Sequence, residues 1–144
     1  MPNELLKLIL IAHSASTLIM VGAIWYVQIV HYPQFRLVPA DLFIAYEKFH
    51  QRGIILTVVP WMVVELGTGV LLLIWPGSFG FIPAVAGALL LAAIWVHTFG
   101  FQLPRHRIIE RGLRSEVLEQ LIRSNWIRTI LWTVRGLLVC YVLF

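Results

Sequence analysis

The groups in this 144-residue sequence that could do chemistry are few, and most are imidazoles, carboxylates and guanidiniums. Glu47 and His50 stand three residues apart and His106 and Glu110 four apart, so each pair shares one helical face. Together with His31 they offer nitrogen and carboxylate donors of the kind that hold iron, copper or zinc. His31, His50 and His106 are therefore the expected metal ligands, with Glu47, Glu110 or Gln102 completing or orienting the shell. A full di-iron bundle site would carry two Glu-x-x-His motifs and two further Glu, and one such motif is present. Each histidine taken singly also fits a partly solvated interfacial residue. A second set lies inside apolar runs: Glu65 and Arg135 are near the middle of theirs, and His13 is early in another. A charge at bilayer depth costs at least ~2.5 kcal/mol, so Glu65 and Arg135 are expected to pair, with His13 as a third member. Such a trio could handle protons or substrate polarity. The alternative is a pair that only fixes helix register.

Four apolar runs must position these groups: Leu8 to Val30, Ile54 to Trp75, Phe81 to Phe101 and Trp126 to Phe144. Each is long enough to cross a hydrocarbon core of ~30 Å. The first run reads as a retained helix, since its flank carries one Lys and no small-residue cleavage site follows. With 60% apolar and 12% charged residues the chain is no ordinary soluble domain, and residues 1–144 are expected to form one all-α, integral membrane four-helix bundle. Leu42 to Phe49 leads into the second helix, Pro76-Gly77-Ser78 makes a tight turn, Pro104 is expected to end the third helix, and Ser115 starts the last.

Eleven Lys and Arg against seven Asp and Glu would suggest nucleic acid in a soluble protein, but here the excess reports topology. Arg36, Lys48 and Arg52 lie between the first two helices, and Arg105, Arg107, Arg111, Arg114, Arg123 and Arg128 between or just inside the last two. Both long connections are expected in the cytoplasm and both termini outside. His31, His50 and His106 then share the cytoplasmic interface, with His97 about two turns deeper. A haem between His13 and His97 is not expected, because their depths differ by about 16 Å at 1.5 Å per residue.

Helical phase adds faces. His13 and His31 are 18 residues apart, five turns, with Thr17 between them. Asn125, Arg128, Trp132 and Arg135 make an inward stripe on the last helix, and Ala84, Ala88 and Ala92 a small-residue seam on the third. The chain has no Gly-rich phosphate loop and no paired cysteines, Cys140 being alone, so hydrolytic nucleophile chemistry has no support.

His31-Tyr32-Pro33, Tyr46 followed by His50 and Arg52, Pro60-Trp61-Met62 ahead of Glu65, Gln102-Leu103-Pro104-Arg105-His106, and Asn125-Trp126-Ile127-Arg128-Thr129 with Trp132 and Arg135 cover nearly the whole chain. Together they resemble a family of small four-helix bacterial membrane proteins similar to the anthrone-oxygenase-like domain-of-unknown-function group. More distantly, His13, Trp25-Tyr26, Val30-His31 and Pro60-Trp61-Met62-Val63-Val64 are similar to the HemJ-type protoporphyrinogen oxidase. That family's essential helix 3 lysine has no counterpart in Phe81 to Phe101.

The resemblances imply a metal- or haem-dependent oxidoreductase or oxygenase of the bacterial inner membrane acting on a lipophilic small molecule. The alternative function is a non-catalytic subunit or assembly factor of a larger membrane complex, and the chain is expected in the bilayer as a homo-oligomer or within such a complex. A transporter ranks below both, since no internal repeat is visible.

Overall fold

The computed structural model describes residues 2–143, and they form an all-α four-helix bundle. The helices are α1 (Asn3–Leu37), α2 (Phe43–Ile74), α3 (Phe81–Ile109) and α4 (Ser115–Leu143), each long and apolar enough to cross a membrane. α1 packs on α2 and α4, and α3 on the same two, so the helices follow one another round the bundle in up-down order. Between α2 and α3 the chain turns on Gly77 and Gly80, whose φ angles of +50° and +84° lie where a side chain would be strained.

The outer surface is apolar, as contact with lipid requires: Leu8, Ile11, Ile82, Leu89, Val96 and Leu137 all face outward. Inside, three apolar layers succeed one another. Ile9, Leu72 and Phe79 pack near the termini, Met20, Met62, Ile94 and Trp132 at mid-height, and Phe35, Phe43, Ile109 and Leu121 at the basic end. A Cβ at Gly136 would lie 2.8 Å from Val21 Cγ2, so glycine there permits the close approach of α4 to α1.

Two helices are locally widened. Residues Val27–His31 of α1 and Thr98–Gln102 of α3 are π-helical. The N–H of Tyr32 donates to Val27 O and that of Leu103 to Thr98 O, five residues back instead of four. A proline follows each after one intervening residue, Pro33 and Pro104, and neither ends its helix. The expected stop at Pro104 is thus replaced by a widened turn. The π turn takes up the backbone disturbance that proline causes one turn earlier, and the helix runs on to Ile109.

The widened turn also overturns the expected common face of His13 and His31. The buried stripe of α1 runs through His13, Thr17, Met20, Ile24, Gln28 and Tyr32, while His31 is half-buried. One extra residue shifts the phase by about 100°. On α3 the buried seam is Ala84, Gly87, Leu91 and Ile94; Ala88 is half-buried and Ala92 exposed, so the anticipated alanine seam drifts off the interface. The stripe of α4 is inward as expected, with Asn125, Arg128, Trp132 and Arg135 all buried.

Candidate functional site

Polar groups inside the bundle fall into two sets, and α4 contributes an arginine to each. Towards the termini, Arg135 Nε donates to Glu65 Oε1 and Nη1 to the carbonyl of Gly87. Glycine at that position matters, because a Cβ there would meet Nη1 at 3.1 Å. Thr17 donates to the same Glu65 oxygen at 2.7 Å, and His13 Nε2 lies 3.2 Å from Arg135 Nη2.

The tautomer of His13 follows from its neighbours. Thr68 gives its one hydroxyl proton to Val64 O or Glu65 O, so at 2.9 Å His13 Nδ1 must be the donor to Thr68 Oγ1. Nε2 is then free to accept from Arg135. Glu65, Arg135 and His13 are thus brought together, with Thr17, Thr68 and Gly87 as the connecting groups. All are buried except Thr68 and Gly69 nearby, which are half-buried, and Glu65 Oε2 is the carboxylate atom left without a partner.

At the basic end the three histidines also meet. His31 Nε2 and His50 Nδ1 are 2.7 Å apart and share one proton, and the rings of His50 and His106 stack at 5.3 Å. His106 Nδ1 contacts Glu47 Oε1 at 2.6 Å, an oxygen that also accepts from Gln51 Nε2 at 2.8 Å. On its other side His106 Nε2 lies 3.0 Å from the hydroxyl of Tyr32, and that hydroxyl lies 3.4 Å from Gln102 Oε1. Gln102 is held by its amide nitrogen, which donates to Ser124 at 3.0 Å. Glu110 takes no part in these contacts.

Tyr32, His106 and Glu47 can therefore hold a proton in either of two ways with every new bond already in place. With His106 neutral, Nδ1–H donates to Glu47 and the tyrosine hydroxyl donates to Nε2. With His106 charged, Nε2–H donates to the tyrosine oxygen and the hydroxyl turns to Gln102. Such an arrangement can take up or release a proton without moving a heavy atom.

A cavity of about 330 Å³ adjoins this relay, between α1, α2 and α3 and reaching α4 at Arg128. Met20, Ile24, Val58, Met62, Trp95 and Phe99 make its apolar body, and Tyr32, His50, Gln102, His106 and Arg128 its polar end. Ile55, Val59 and Phe99 line it and are also exposed on the outer surface, so its mouth opens sideways between α2 and α3. The size is at the lower end of the usual range for small-molecule sites, ~300 to 1,000 Å³.

The metal expectation meets a geometric obstacle. Two imidazole nitrogens on one zinc-like ion at ~2.0 to 2.1 Å would sit about 3.3 Å apart, whereas His31 and His50 are within hydrogen-bond distance of each other. Both nitrogens of His106 already have partners in Glu47 and Tyr32. Among the described residues no three His, Cys, Asp or Glu have donors placed for one ion. His97 stands apart from both sets, stacked on Phe101 at 5.1 Å with neither ring nitrogen hydrogen-bonded.

Three site residues escaped sequence reasoning in these roles: Tyr32 in the relay, Gln102 as its anchor and Arg128 at the cavity wall. Their signal was Tyr32-Pro33 and Gln102-Leu103-Pro104, each a polar group just ahead of a proline inside a long helix. Comparison with protein-family models, curated proteins and solved structures returns no match for this chain.

Proposed function

We propose that the protein is a membrane enzyme, an oxidoreductase or oxygenase by reaction class, that takes a lipophilic small molecule from the bilayer and exchanges a proton with it through Tyr32, His106 and Glu47. The observation that carries this reading is the two-way proton relay at the polar end of an apolar cavity with a lateral mouth. A molecule dissolved in lipid reaches such a mouth without crossing water. His50 lines the cavity, and its half-buried partner His31 gives the proton a route towards the rim.

The excess of basic residues at that end supports a rim at the cytoplasmic face of the bacterial inner membrane, with both termini outside. Topology reporters fused after residue 143 test the orientation, and a cytoplasmic signal rejects it.

The function is tested on protein purified in a mild nonionic detergent, extracted with organic solvent and analysed by mass spectrometry. An apolar compound distinct from bulk phospholipid is expected, depleted several-fold in Val58→Phe, which fills the cavity. Its absence from the parent overturns the reading. Once identified, the compound should be converted by the parent and not by Tyr32→Phe. Metal quantification on the same samples decides the cofactor: metal that is lost in His106→Ala restores an ion to the site, and turnover by metal-free parent removes it.

A further inference from the structure

Among the described residues Arg128 is the one arginine or lysine at the cavity wall, and it is buried to 8% exposure. Among the described residues it enters no ion pair. Its Nη1 donates to Asn125 Oδ1 at 3.1 Å, the Tyr32 hydroxyl lies beside the guanidinium as a second neutral neighbour, and Nε has no partner. The acceptor is itself fixed: Asn125 Nδ2 donates to Gln28 Oε1 at 2.9 Å, and Gln28 Nε2 to Ile122 O at 3.3 Å. A buried guanidinium is normally matched by a carboxylate, as Arg135 is by Glu65, because neutral groups such as an amide and a phenol leave its charge unanswered.

The carboxylate of the relay, Glu47, answers His106 and Gln51 instead. The missing anion therefore has room in one place, the cavity that Arg128 borders. Around that point Tyr32, His50 and Gln102 supply further hydrogen-bonding groups, and beyond them the walls are aliphatic and aromatic.

We infer that the ligand of this cavity is a lipophilic monocarboxylate, its head on Arg128 and its apolar body among Ile24, Val58, Met62 and Phe99. One uncompensated cation calls for one negative charge, and the planar guanidinium matches a carboxylate better than a point charge would. The inference rests on the cavity being a ligand site, as proposed above, and adds the chemical class of what enters it.

The probes are 1-naphthoate and its uncharged analogue 1-naphthamide, titrated calorimetrically into parent, Arg128→Lys and Arg128→Gln in dodecyl maltoside at neutral pH. The parent is expected to bind the acid at least tenfold more tightly than the amide. Arg128→Gln should abolish that preference while leaving amide affinity within about threefold, and Arg128→Lys should retain part of it. Equal binding of acid and amide by the parent overturns the carboxylate and leaves the cavity as a ligand site. Binding of neither probe, with Val58→Phe indistinguishable from parent in its extract, overturns both. Since the acid-to-amide comparison is made on the parent, a poorly folding Arg128 variant does not spare the inference.

Discussion

Arg128 and Arg135 are seven residues apart on one unbroken helix, two turns and about 10 Å along the same buried stripe, yet they have opposite surroundings. Arg135 is met by a carboxylate, a backbone carbonyl and an imidazole contributed by all three other helices. Arg128 is met by one amide on its own helix, by the neutral hydroxyl of Tyr32 and by open space, and by no acid. The first is a clasp in which each helix supplies a part. The second is an unfilled socket. Identical chemistry at identical helical phase thus serves cohesion at one level and recognition at the other, and what differs is whether a neighbouring helix presents an acid.

The sharpest way to break this contrast is to remove the acid. Glu65→Gln leaves Arg135 buried without its counter-ion and should cost ~3 to 5 kcal/mol in unfolding by detergent titration, whereas pairing it with Arg135→Gln should cost less than the two changes summed. Strict additivity would dissolve the clasp. A smaller effect is expected from Gly136→Ala, whose Cβ would press on Val21 and pry α4 from α1 at the clasp's level. Overpacking of this kind costs ~1 to 3 kcal/mol, and Val21→Ala in the same chain should recover most of it.

Tyr32→Phe comes next: it removes the hydroxyl from His106 Nε2 and from the polar end of the cavity, and should lower stability by ~0.5 to 1.5 kcal/mol by chemical denaturation. No loss of stability would show that the hydroxyl is not bonded to His106. The smallest effect sharpens the comparison most. Arg128→Gln should change unfolding by less than about 1 kcal/mol in either direction, because no acid loses its partner. A loss on the scale of Glu65→Gln would show that the socket is structural after all.

How far the sequence announced these sites depended on the regularity of the helix carrying them. Glu65 and Arg135 stood out because charge inside an apolar run is costly, and the contact between them needed no phase arithmetic beyond matched depth. The stripe of α4 came out correctly because 29 residues follow one period without interruption. His31, His50 and His106 were brought together by shared depth, which a widened turn barely alters. Their donor directions were not legible, since these depend on rotation about the helix axis. Tyr32 was hidden by the π turn of α1, past which a 3.6-residue count points to the wrong face. Gln102, the last residue of the α3 turn, was legible as a group near the histidines, but its contact with Tyr32 was hidden by the same irregularity. Arg128 was visible as one of a stripe, but that it lacks an acid is a fact about its neighbours and leaves no trace in its own segment.

The widened turns carry a consequence for how this chain tolerates insertions and deletions. Each contains one residue more than an α-helix would need between the same two planes, so dropping a single residue from 27–31 or 98–102 would return the stretch to α-helical spacing and leave Pro33 or Pro104 without the turn that accommodates it. Such a protein would still be long and greasy enough to insert. Every side chain beyond the lost residue would nevertheless have swung by about 100°, carrying Tyr32 or His106 out of the bundle. Over these two stretches, length is held by the need to aim a few groups and not by the need to span.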